Sequence, residues 1–163
     1  MARLIPNEKT YVCFVPSDAA DPVSAITAPT VAEAAGGTDL SGFIVSLNAS
    51  STGNTLPTPE FSTLFETSIP GTVSAQFSAD FYRDDATDTA WDALPRAKEG
   101  HFIISRFGGS GTDNLPVEND EVEVWPVTVT SRTMQNMASN SVMMFSVQCS
   151  VPVEPEEAVL VVA

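Results

Sequence analysis

Apolar residues recur at every second position over most of this chain, and the helical spacing of three and four is rare. Tyr11 to Val15 is a short continuous apolar run, the pattern of a strand buried on both faces. Phe43, Val45 and Leu47 alternate with Ile44 and Ser46. Phe77, Ala79 and Phe81 alternate with Gln76, Ser78, Asp80 and Tyr82, which predicts a strand with one wet face. Further strands are predicted over His101 to Phe107, Glu121 to Arg132 and about Val142 to Val151. In the long one, Glu121, Glu123 and Trp125 share one face and Val122 and Val124 the other. Pro126 inside it predicts a bulge or an edge, because proline cannot donate to a ladder.

Helix signals are few. Asp88 to Leu94 offers a cap and places Trp91 and Leu94 on one side before Pro95, which predicts one short helix over about 87–94. Val31 to Ala35, ending at Gly36-Gly37, reads as a turn or two.

Residues 48–72 read as a connection of about 25 residues, against the usual 4–6. It opens with Asn48-Ala49-Ser50-Ser51-Thr52-Gly53-Asn54 and then carries Phe61, Leu64, Phe65 and Ile69. Those side chains must bury somewhere, and if the core does not take them another subunit does. The stretch therefore reads as an assembly arm, ordered on association. Residues 1–8 form an extended polar lead, and 152–163 an acidic, proline-bearing tail with an apolar tip, the composition of a mobile end. No internal repeat or domain boundary appears, so 1–163 reads as one domain.

Charge changes the picture. With 7 basic and 21 acidic residues the formal net charge is −14, too few cations to grip phosphates or an anionic membrane. Charged residues make up only 17%, below the usual ~25%, so the chain is acidic because bases are missing. A surface of neutral polar and apolar groups suits a subunit covered by neighbours. The N-terminus has no long apolar run, so no signal peptide is expected, and no stretch approaches a membrane span. The expected site of synthesis is a cytoplasm. Cys13 and Cys149 fit no metal or redox spacing and read as buried thiols, with a disulfide open only if the first and last strands are neighbours.

Candidate chemistry adds little. His101 is the single histidine, and no Gly-x-Ser-x-Gly elbow accompanies it. Asp80, Asp84, Asp85, Asp88 and Asp92 concentrate carboxylates around Arg83 without the alternation of a calcium loop, and read as helix N-terminal acids. Spacing alone leaves paired carboxylates for glycoside hydrolysis open, although only Trp91 and Trp125 are available to line a sugar cleft. The run Gly108-Gly109-Ser110-Gly111 lacks the ending of a phosphate loop. No catalytic residue, metal site or cofactor is expected.

Several strings carry a resemblance. Ile5 to Tyr11, Phe61 to Thr72, Phe77 to Asp84, Phe107-Gly108-Gly109 and Ser146 to Val151 resemble the major tail proteins of siphophages infecting actinobacteria, over nearly the whole chain. The resemblance implies a mainly β fold of two packed antiparallel sheets with one short flanking helix. It implies six subunits closing into a ring around an inner β-barrel, and rings stacking into a tube that carries DNA from capsid to host. The family's long loop corresponds in position to residues 48–72. Contacts between subunits and rings are therefore expected at Leu4, Ile5, Leu56, Phe61, Leu64, Phe65 and Ile69. Asp80, Glu121 and Glu123, on wet strand faces, are the expected acidic lumen residues. The implied partners are other copies, then the tape measure, tail tip and terminator proteins, with DNA in transit and no membrane. The rival readings are a β-sandwich adhesin or capsid-decoration domain, and an acidic hydrolase dependent on His101 or Asp84.

Overall fold

The computed structural model describes residues 9–58, 67–84, 87–135, 139 and 141–163. In chain order these form β1 (Tyr11–Pro16), α1 (Val31–Gly36), β2 (Thr38–Asp39), β3 (Ile44–Thr58), β4 (Thr67–Tyr82), α2 (Thr89–Ala93), β5 (Glu99–Ser105), β6 (Glu121–Met134), β7 (Met144–Ser150) and β8 (Glu156–Leu160). The protein is thus mainly β, and every strand pairing among these elements is antiparallel.

Where two sheets were expected there is one hydrogen-bonded sheet of eight strands, ordered β2-β1-β5-β6-β7-β4-β3, with β8 also on β6. On a flat sheet β5 and β4 would stand about 14 Å apart, at ~4.8 Å per strand. Phe102 of β5 and Phe77 of β4 nevertheless stack with ring centroids 4.5 Å apart. The sheet is therefore folded over on itself, and the two layers are its halves. The strand that passes between them is β6. Its first half pairs with β5 and β8, its second with β7, and the register shifts between Val129 and Ser131. Pro126 causes no shift in the β5 pairing, where it sits opposite His101. Along the other edge it falls in the gap between the β8 and β7 ladders, a place where no N–H is required.

The main core lies between the layers. Phe14, Phe102, Trp125, Phe77, Phe81 and Phe145 are all buried there, and Trp91 of α2 meets Phe145 edge-on at 5.1 Å. A second core covers the opposite face of β1, β5 and the first half of β6, where Cys13, Ile103, Val122 and Val124 pack under Ala34 of α1 with Val159 and Val161. The alternation along β6 thus sends Trp125 to one core and Val124 to the other.

Three expectations are corrected. Residues 48–58 and 67–72 are not a loop; they are the outer arms of the β3–β4 hairpin, paired from Ser46 with Asp80 out to Thr58 with Thr67. The C-terminal segment is not mobile by pattern. Its Val159 and Val161 alternate into the second core, so 156–160 pair with β6, and Val31 N–H donates to Val162 O at 3.1 Å. Asp88 does not cap α2 with its side chain. It has a left-handed backbone (φ 45°), and its carboxylate accepts from Arg83 Nε at 2.7 Å. Cys13 and Cys149 lie on non-adjacent β1 and β7 and pack in different cores as free thiols, each pushed up to about 12 by burial.

Candidate assembly interface

The hairpin outgrows the sheet that carries it. β7 pairs with β4 only over Phe77 to Tyr82, so among the described residues the outer part of β4 is paired with β3 alone. A two-stranded ribbon is marginal in water without further cover. No charged residue occurs in 40–59 or in 67–79, an unusual run in a chain of net charge −14. Leu56 and Ile69 sit directly opposite one another near the far end, 56% and 51% exposed. Pro57 and Pro70 flank that pair on either strand. Of the expected contact residues these two are described together on one exposed pair. Leu4, Ile5, Phe61, Leu64 and Phe65 lie outside the described residues.

The base of the hairpin belongs to a broad polar face. Its inward side chains, Leu47, Ala49, Phe77 and Ala79, pack on the main core. The outward rows run Ser46–Asp80–Ser146–Thr133 and Asn48–Ser78–Gln148–Ser131 across four strands, with Ser50–Gln76 and Thr52–Ser74 beyond. Asp80 is the one ionisable group in these rows. The Ser146 hydroxyl donates to it at 2.6 Å and Ser46 at 2.7 Å, and these bonds hold its carboxyl below the ordinary range.

The structure does not bring Asp80 together with Glu121 and Glu123. Glu123 follows Trp125, at the rim of the space between the layers. It takes a two-pronged ion pair from Arg106 and accepts from Trp125 Nε1 at 3.1 Å, so its charge is matched. Glu121 is exposed, opposite Leu160 of β8.

Reasoning from the sequence missed a basic-aromatic stack. Arg83 and Arg132 lie 4.4 and 3.5 Å from the Trp91 ring, and Arg132 also donates to Trp91 O at 2.5 Å. Arg132 reaches the inward side of β6 through the register shift between Val129 and Ser131; alternation from Trp125, Val127 and Val129 puts it on the other face, so the pattern carried no signal for the stack. The stack fixes α2 over the end of the main core. Among the described residues, no cluster of three His, Cys, Asp or Glu is arranged to hold a metal ion.

The fold is thus that of an antiparallel β protein whose sheet folds over on itself and carries a projecting hairpin with no charged residue over 40–59 and 67–79. Its sequence matches the phage tail tube protein family over residues 1–163, and the chain belongs to that family. It is a structural subunit of a tail tube. Its fold is similar to that of a chain in the six-fold symmetrised baseplate of the anti-feeding prophage, with a TM-score of 0.60 and 12% identity over 96% of both chains. It is also similar to a chain of the sheath–tube complex of an extracellular contractile injection system in the extended state. There the TM-score is 0.58 and the identity 14%, over 98% of this chain and 95% of that one. No curated protein sequence matches it.

Proposed function

We propose that six copies close into a ring and that rings stack into the hollow tail tube of a siphophage infecting an actinobacterium. DNA passes along the bore from capsid to host. The observation that carries this reading is the projecting hairpin, without charge over 44–58 and 67–79, whose exposed Leu56 and Ile69 offer apolar surface to a neighbouring copy. The six-fold symmetry of the anti-feeding prophage structure supports a ring of six. The subunit performs no catalysis. It meets tape measure, tail tip and terminator proteins at the ends of the tube, does not engage a membrane, assembles in the host cytoplasm and ends in the virion. The terminal arm with Leu4 and Ile5 and the segment with Phe61, Leu64 and Phe65 join the contacts between copies.

The bore is lined by the hydroxyl-rich face of β3, β4, β7 and the second half of β6. Neutral hydroxyls and amides offer phosphates no fixed cation, and Asp80 adds a ring of carboxylates that repels DNA only within a Debye length of ~8–10 Å. Glu121 and Glu123, on the first half of β6, are the further lumen acids of this reading. Electron microscopy of the purified protein tests the reading. Rings of six or tubes with an open bore are expected; discrete monomers or trimers at every concentration and salt would overturn it.

A further inference from the structure

We infer that in the unassembled subunit Arg3, Leu4 and Ile5, which lie outside the described residues, rest across one end of their own sheet against Phe107, Glu121 and Leu160. The seat belongs to the single chain and stands apart from ring formation. Only its release on assembly, which frees Leu4 and Ile5 for other copies, rests on the tube-subunit reading.

The surface is built where four strands end together. Tyr11 of β1 pairs with Ser105 of β5, Ile104 of β5 with Glu123 of β6, and Glu121 of β6 with Leu160 of β8. Val159 and Val161 enter the second core, so Leu160 between them turns to the opposite side, that of Glu121 and Glu123. Phe107 follows the end of β5 and is 63% exposed; Leu160 is 55% exposed. Arg106, Phe107, Glu121, Glu123 and Glu157 line one shallow groove, in which Arg106 is the only cation and is already paired with Glu123. Exposed apolar surface with unmatched carboxylates beside it suits an apolar segment that carries a base.

The occupant follows from where the chain enters. Thr10 Oγ1 donates to the Arg106 carbonyl at 3.4 Å. The Lys9 carbonyl passes so close to Gly108 that a Cβ there would lie 2.3 Å from it. Residues 1–8 therefore begin at the corner that Phe107 occupies. From β1 through β5 and β6 to β8 is three strand steps, about 14 Å at ~4.8 Å each. Leu4 stands five positions before Lys9, a length that covers up to about 17 Å when extended. Pro6 holds Ile5 in the extended region, so the lead spans the distance. Leu4 and Ile5 then meet Leu160 and Phe107, and Arg3, one of the chain's 7 basic residues, reaches Glu121 and Glu157. Another copy's lead carries the same groups. The chain's own lead, tethered beside the groove, is present at an effective concentration of about millimolar, and it wins in dilute protein.

The test labels a thiol placed in the seat. Full-length Leu160→Cys, dilute enough that sedimentation shows it unassembled, is treated with a maleimide, and peptide mass separates the new thiol from Cys13 and Cys149. Adding Leu4→Asp with Ile5→Asp raises labelling of the new thiol by about fivefold or more, since a covered group reacts only when its cover opens. Labelling of the buried Cys13 stays slow and reports that the fold is kept. Phe107→Cys repeats the measurement at the other end of the seat. In parallel, Leu4→Cys with Leu160→Cys forms on oxidation a disulfide within one chain, in a yield that does not change with protein concentration. Equal labelling with and without the aspartates at both positions, or a disulfide that forms only between chains, overturns the seat. Failure of the unaltered chain to form rings or tubes at any concentration overturns the release on assembly and leaves the seat standing on its own two readouts.

Discussion

His101 is held half-buried on β5 with its Nδ1 shielded from water and without a hydrogen-bond partner among the described residues. Burial lowers its pKa below the ordinary 6.5, and the Glu33 charge offsets part of that. The unfolded chain therefore binds the proton more readily, so this residue's contribution to stability is complete above pH 6.5 and is lost as pH falls through the lowered folded value. Thermal unfolding followed from about pH 7 to pH 5 should show a falling midpoint, and His101→Asn should flatten that slope. An unchanged slope in the variant would count against the assignment. Further down the scale, Asp80, Asp120 and Glu33, all held below the carboxylate range, add a second acid loss of the same sign. The sequence marked His101 as a strand residue, and it lies on β5. That its ring lacked a partner depended on β1 and β6, which reach it from 86 and 25 residues away in the register Val15–His101–Pro126.

At the scale of elements, α1 shows how a short helix is held. Its 6 residues cannot persist alone, since isolated helices below about 12–15 residues are marginal. Its start is fixed by a capping box. Thr30 Oγ1 accepts from Glu33 N at 3.2 Å, and Glu33 returns a carboxylate to Thr30 N at 2.8 Å. The other Glu33 oxygen accepts from Ser24 N and Ser24 Oγ, both at 2.8 Å. Burial alone would raise this carboxyl, and the donors from Thr30 and Ser24 more than reverse it. Glu33→Ala leaves two backbone N–H groups without their acceptor and should lower stability by about 1.5–3 kcal/mol in a denaturant titration. Glu33→Gln, which keeps an acceptor, should lose less. The spacing of Thr30 and Glu33 is legible in the sequence; the reach to Ser24 is not.

The hairpin arms were misread for a definable reason. Strand periodicity is visible when one face is apolar, and residues 48–55 present serine, threonine and asparagine to both sides. The part of the same hairpin that packs on the core, Phe77 to Tyr82, was read correctly because Phe77, Ala79 and Phe81 repeat at two. The C-terminal strand erred in the opposite sense. Its prolines and glutamates suggested a tail, while the alternation of Val159 and Val161 was the signal for burial.

At the scale of the whole molecule, charge and shape act against each other. The net charge of −14 makes copies repel one another at low salt. Screening therefore favours assembly: raising salt from about 0.01 M to 1 M shortens the Debye length from about 30 to 3 Å. The assembled fraction in a sedimentation series should rise with salt, and tubes that dissolve on salt addition would place ion pairs at the contacts instead. Most strands were legible from alternation and the two layers were implied by the family resemblance, but the continuity of the sheet was given by neither. Whether two layers are two sheets or one folded sheet depends on which edges pair, and pairing leaves no mark on the pattern of side chains.

That continuity has a mechanical meaning. A pull on the hairpin runs along β4 into the β7 ladder, across to β6, and from there to β5 and β8. At every step the load meets rows of backbone hydrogen bonds lying across the direction of strain, which share it and yield together. Two separate sheets held by side chains alone would slide. This subunit instead transmits tension from its arm to its C-terminal strand through a single unbroken lattice.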